Sequence, residues 1–128
     1  MHLNVPTSPG EFLDKLSILE IKSERIVDPT KLAHVLRELG LLRATWQATP
    51  MAEQDVTALT EELKQVNERL WEIEDAIRAK EAARSFDAEF IELARSVYRT
   101  NDRRTVIKRE LNLALGSELF EEKSYRKY

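Results

Sequence analysis

Val56, Leu59, Leu63, Val66, Leu70, Ile73 and Ile77 advance by alternating steps of three and four, and this run constrains the fold more than anything else in the chain. A mean spacing of 3.5 residues over three repeats makes a helix of about six turns with one apolar seam. A seam that long has to be covered, by a neighbouring helix of the same chain or by a second copy. Composition narrows what else the chain can be. Three Gly and four Pro in 128 residues are too few for the closely spaced turns of a β fold. Hydrophobic content of 42% with 34% charged residues suits a globular chain with one real core. The expected architecture is all-α: one domain over residues 1–128, a bundle of four to five helices with up-down connections, the heptad run being its long third helix.

The other helices announce themselves by their ends. Residues 1–8 read as an extended lead-in, held out of helix by Pro6. Ser8 is an N-cap, Pro9 takes the first helical position, and Glu11 stands where a capping box needs an acid. The first helix is expected to run to about Val27. Asp28-Pro29 repeats the device for a second helix, which buries Leu32, Val35, Leu36, Leu39 and Leu42 and ends near Trp46. Residues 47–52 form a loop before the heptad helix. Ser85 is the expected N-cap of a fourth helix whose buried face holds Phe86, Phe90, Leu93 and Val97. Gly116 stands at the C′ position that stops the last helix, leaving 117–128 as a partly docked tail.

Residues 95–109 are the chain's one concentrated charge feature. They hold six of the 20 Lys and Arg residues and a single acid, Asp102, so the stretch carries +5 in a chain of net charge −3. Helical phase bears on how it folds. At about 100° per residue from Arg95, Phe86, Phe90, Leu93 and Val97 centre near 190°. Val106, Ile107, Leu111, Leu113, Ala114 and Leu115 centre near 90° on the same count. One straight helix does not present both faces to one core, so a break or kink is expected near Asn101, with Thr100 or Asn101 capping a fifth helix. A helix N-terminus among Arg95, Arg99, Arg103 and Arg104 would seat an anion: free N–H groups, a positive dipole end and bidentate guanidinium contacts.

Several polar residues fall inside apolar stripes. Glu20 and Ser23 lie within the buried face of the first helix, and Arg103 and Glu110 within that of the expected fifth. A carboxylate buried unpaired is too costly. Glu20, Arg103 and Glu110 are therefore expected to meet, either as a salt bridge that fixes register or as a polar pocket together with Ser23. The first helix is also apolar on more than one side, so it is either central in the bundle or shared with a partner. Asn67, Trp71, Glu74 and Arg78 flank the heptad seam.

These observations support a non-catalytic binding or adaptor domain. It would recognise an anionic group at the 95–109 joint through Arg95, Arg99, Arg103 and Arg104. A phosphorylated small molecule, a nucleotide sugar or an acidic protein segment would serve. A second class is a Mg²⁺-dependent all-α phosphohydrolase, in which Glu72, Asp75, Glu89 and Glu92 on consecutive helices gather a metal. The wheel turns Glu72, Asp75 and Glu92 toward solvent, against that reading. A third class is an oligomerisation module, with the first or third helix as a homo-oligomer interface. The absence of cysteine removes disulfides, thiolate metal sites and thiol catalysis, and His2 and His34 are too few for a His-rich site. No cofactor is implied. A pI near 5.5 argues against non-specific binding to duplex DNA, and Tyr98 alone interleaves the basic residues as a stacking platform for RNA. No apolar run approaches a membrane span and the N-terminus lacks a signal-peptide pattern, so a cytoplasmic location is expected.

Val5-Pro-Thr-Ser-Pro-Gly-Glu11, Asp14-Lys15 with Ile18-Leu-Glu-Ile-Lys22, Asn67-Glu-Arg-Leu-Trp71, Tyr98-Arg-Thr-Asn-Asp-Arg103 and Glu122-Lys-Ser-Tyr125 together resemble a family of small bacterial proteins of about this length, defined as a domain of unknown function. The resemblance covers nearly the whole chain and implies a free-standing domain. It implies no activity, substrate or cofactor, and it assigns no functional residue.

Overall fold

The computed structural model describes residues 1–128 and contains four α-helices and no strand. They are α1 (Pro9–Arg25), α2 (Pro29–Gln47), α3 (Thr57–Ala82) and α4 (Ala88–Ala114), with one 3-10 turn, Pro50–Glu53, between α2 and α3. Both expected helix starts are present. The Ser8 hydroxyl accepts from Glu11 N at 3.1 Å, and the Asp28 carboxylate accepts from Lys31 N at 2.9 Å. The reciprocal half of the capping box is not made, because Lys108 donates to the Glu11 carboxylate at 2.6 Å. No helix is long and apolar enough to cross a membrane.

α1 is the central element. Its Leu13 packs with Leu63 of α3 and with Ile107, Leu111 and Leu115 at the end of α4. Its Leu19 packs with Val35 and Leu39 of α2, and Phe12 stacks on Trp46 at 5.8 Å between ring centres. On the other apolar side of α1 Ile21 is fully buried and Ile18 half-buried, so both sides are covered within the chain. So is the heptad seam of α3, which faces α4 in a long antiparallel hairpin. The fully enclosed Leu63, Ile107 and Leu111 each contribute roughly 1.5–3 kcal/mol of burial. α2 approaches α1 and the 3-10 turn but makes no close backbone approach to α3 or α4.

The lengths do not match, and this shapes the molecule. At 1.5 Å per residue α1 spans about 26 Å and α4 about 40 Å. The hairpin therefore projects past α1 as a two-helix arm. Beyond Ile73 in α3 and before Thr100 in α4 no residue is buried.

The expected break at Asn101 is absent: α4 is one helix from Ala88 to Ala114, and no fifth helix exists. Thr100 is buried in mid-helix, and the Asn101 carbonyl accepts from Thr105 Oγ1 at 3.0 Å. The error lay in treating every apolar residue as core. Val106 and Leu113 are 46% and 62% exposed, and they pulled the average phase round. The residues that are buried, Ile107, Leu111 and Leu115, centre near 160°, within about 30° of the first half. The cap of α4 also differs. Asp87, not Ser85, accepts from Phe90 N at 2.9 Å, while Lys80 and Ser85 donate to its other oxygen. These contacts, led by Lys80, hold the Asp87 carboxyl at a pKa of about 2.

α3 and α4 end alike. Ser85 N reaches Lys80 O at 2.9 Å and Arg84 N reaches Glu81 O at 3.0 Å, a Schellman motif. Ser117 N and Gly116 N repeat it on Asn112 and Leu113. The C′ residue is left-handed in both, at φ 51° for Arg84 and φ 68° for Gly116. Glycine takes that conformation freely, whereas arginine is strained in it.

A polar junction and a candidate anion groove

The polar contacts expected within the core are replaced by others. Glu20 is half-buried and lies near Lys64 at 3.7 Å and Arg43 at 3.8 Å, not near Arg103 or Glu110. Ser23 donates to the Glu20 carbonyl at 2.6 Å, an ordinary contact within its own helix. Glu110 is exposed. Arg103 is also at the surface, paired with Glu62 of α3. Arg104 is the guanidinium that turns inward, with Nε 3.9 Å from buried Asp14. The unbroken helix explains the exchange, since its buried face runs through Thr100, Arg104, Ile107 and Leu111.

Asp14 is the centre of the real polar junction between α1, α3 and α4. Asn67 of α3 donates to it at 2.9 Å and to Ser17 Oγ at 2.8 Å. Lys108 Nζ lies 3.8 Å from its other oxygen, 2.6 Å from Glu11 and 3.2 Å from Glu121. Asn112 completes the junction by accepting from Gly10 N at 2.7 Å. Burial works against the Lys108 ammonium, but Glu11, Asp14 and Glu121 outweigh it and hold its pKa above the ordinary lysine value. The resulting stabilisation is fully present below the unfolded-state value and is lost as pH rises through the folded one. No buried side-chain nitrogen or oxygen lacks a partner. Such a satisfied network fixes helix register.

Gly10 belongs to the same junction. A Cβ there would sit 2.5 Å from the Lys108 carbonyl and 2.8 Å from Asn112 Oδ1. Only glycine lets the first turn of α1 lie this close to α4. Sequence patterning marks Asn67 as off-pattern but does not mark Asp14, Ser17, Lys108 and Asn112, which join it in the junction. The available signal was a pair of polar stripes at helical spacing, Gly10-Asp14-Ser17 and Arg104-Lys108-Asn112, each beside an apolar one.

Three of the four arginines expected to hold an anion lie on the outer side of α4. Arg95 and Arg99 reach Glu92 at 3.1 and 3.0 Å. Arg99 and Arg103 line an open cleft of about 370 Å³ between α3 and α4, together with Arg69, Ser96 and Thr100. Arg69 makes no ion pair and was not anticipated. It lies two residues after Asn67, on the heptad helix, where nothing in the α4 charge run points to it. Arg95 is outside the cleft lining, and Arg104 faces the junction. The free helix N-terminus expected at Asn101 does not exist, so this cleft offers side chains alone.

The four acids suggested for a metal do not gather. Glu72 pairs with Arg25, Glu89 with Lys80, and Glu92 with Arg95 and Arg99, while Asp75 is exposed on α3 without an ion pair. No group of three or more His, Asp or Glu residues is placed to hold a metal ion. Trp71 lies under the Arg25 guanidinium at 5.9 Å, and Glu74 pairs with Arg78 along the helix surface.

No curated protein and no solved structure gives a significant match to the chain. One family model, described as a family of unknown function (DUF6165), matches residues 3–128. An all-helical chain with this junction and cleft, matched over nearly its whole length, belongs to that family.

Proposed function

We propose that the protein is a non-catalytic binding domain that takes a phosphate-bearing small molecule in the cleft between α3 and α4. The carrying observation is that Arg69, Arg99 and Arg103 line one cleft with the hydroxyl-bearing Ser96 and Thr100 and a single carboxylate, Glu92. Guanidinium groups bind phosphate oxygens in pairs, and the Ser96 hydroxyl can donate to one left over only by leaving the Glu92 carbonyl, to which it donates at 2.9 Å. The competing carboxylates, Glu92 and Glu62, stand in exposed pairs with Arg99 and Arg103. Exposed pairs of this kind contribute about 0–1 kcal/mol, so a multiply charged ligand displaces them at little cost. The cleft is open, which favours a ligand with a charged end over one needing full enclosure.

The test is calorimetric titration with inorganic pyrophosphate at low salt. Binding is expected, weakened about tenfold or more in Arg69→Ala and in Arg103→Ala, with the melting temperatures of the unliganded variants close to wild type. Absence of heat at millimolar pyrophosphate, or unchanged affinity in both variants, contradicts the proposal.

A further inference from the structure

A second cationic site lies on another side of α4, already occupied by part of the same chain. After Gly116 the segment 117–128 turns back along α4. Glu121 meets Lys108 at 3.2 Å and Glu122 meets Arg109 at 3.4 Å. The Arg109 guanidinium covers the Phe120 ring at 5.3 Å. Further on, the Tyr128 ring packs on Tyr98 at 4.8 Å, and its hydroxyl donates to Asp102. On the helical count these contacts centre about 150° from the pyrophosphate cleft.

The two sides of this contact are built very differently. Lys108 is 10% exposed and fixed by Glu11 and Asp14. The segment has no regular secondary structure and not one buried residue. Its contacts are mostly exposed ion pairs and ring edges, each weak by itself. It also fails to fill the space it covers. A cavity of about 330 Å³ remains where Ser8, Thr105 and Asn112 face Glu121 and Glu122. An open groove of about 630 Å³ continues beside Tyr98, Val106 and Tyr125. A rigid Lys108–Arg109 seat under a loosely laid strap, which meets it with two acids although its acids and bases are equal in number, is the arrangement of a receptor holding an exchangeable ligand.

We propose that 117–128 is a resident, displaceable ligand, and that its site binds an acidic peptide segment of a partner protein. Two neighbouring carboxylates in that peptide would take the places of Glu121 and Glu122 on Lys108 and Arg109, with an aromatic residue beside them in the place of Phe120. The resident segment then sets a threshold: a partner binds only if it outcompetes the chain's own acids. The inference does not depend on the pyrophosphate cleft, whose residues it does not share.

The probe is a fluorescent synthetic peptide of residues 117–128, added to the full-length chain. Glu121→Gln/Glu122→Gln removes the resident carboxylates without touching the seat. The peptide is expected to bind this double variant at least about tenfold more tightly than wild type. Adding Arg109→Ala, an exposed side chain, should abolish that gain while leaving the circular dichroism spectrum intact. Equal affinity for wild type and double variant, no binding to either at millimolar peptide, or indifference to Arg109→Ala overturns the proposal. So does a wild-type chain that dimerises with concentration and is made monomeric by the double variant, since the occupant would then be a second copy.

Discussion

The two halves of α4 share one helix and one amphipathic phase, yet only the half after Thr100 is well buried. Ile107 and Leu111 are enclosed between α1 and α3, whereas Leu93 and Val97 stay partly exposed. The side chains are comparable, so the number of neighbours makes the difference. Two helices pressed together leave the edges of their seam wet, and a third laid across the pair closes them. The same contrast sorts the charges. Where α1 covers the hairpin, polar groups are drawn inward and satisfied around Asp14. On the uncovered arm, arginines remain at the surface, where a ligand can reach them.

The sharpest way to break this comparison is to make one substitution in both halves. Leu111→Ala should cost about 4 kcal/mol in chemical denaturation, because it empties a closed core. Leu93→Ala should cost about 1 kcal/mol, because its site is already partly wet. Equal losses would mean that the arm is as well packed as the junction. Next in size is the polar centre. Asp14→Ala should cost about 3 kcal/mol by leaving Lys108 and Asn67 short of an acceptor. A double-mutant cycle with Lys108→Met should return a coupling of about 1–2 kcal/mol, and a coupling of zero would remove Asp14 from the network.

Gly10→Ala sets two effects against each other. Alanine gains up to about 1 kcal/mol in helix propensity, while the clash with the Lys108 carbonyl costs about 3 kcal/mol. The net expectation is a loss of about 2 kcal/mol, and a more stable variant would disprove the close approach of α1 to α4. The smallest effect belongs to the arm. Arg84→Gly relieves a left-handed arginine and should stabilise the protein by about 0.5–1 kcal/mol. A melting temperature that falls instead would show that the Arg84 side chain contributes more than its strain costs.

The parts of the fold that were legible in the sequence are those set by local chemistry. Ser8-Pro9 and Asp28-Pro29 start helices because capping needs only a side-chain oxygen and a free N–H. Gly116 stops α4 because φ 68° needs no Cβ. The heptad of α3 reads plainly because the seam is apolar along its whole length, whether α4 alone or α1 as well covers it. What failed depended on neighbours that a helical wheel does not contain. Val106 and Leu113 are apolar yet exposed, so a wheel that includes them shows a false break and exchanges the roles of Arg103 and Arg104. Ser85 was a sound cap by composition, but the Schellman turn at Arg84 moved the cap to Asp87. Asp14 and Lys108 are ordinary charges on their own helices and form a pair only because Gly10 lets α1 lie against α4. Arg69 joins the groove from a different helix, so no local pattern could announce it.

Residue-resolved amide hydrogen exchange along α4, without and with inorganic pyrophosphate, tests directly whether α4 is a closed junction continued by an open arm that carries the anion groove. Amides of residues 104–114 should exchange only with global unfolding, and those of 88–96 about a hundredfold faster through local opening. Pyrophosphate should slow exchange around 96–103 and leave 104–114 unchanged. Uniform protection from Ala88 to Ala114, or a profile that pyrophosphate does not alter, would contradict the account.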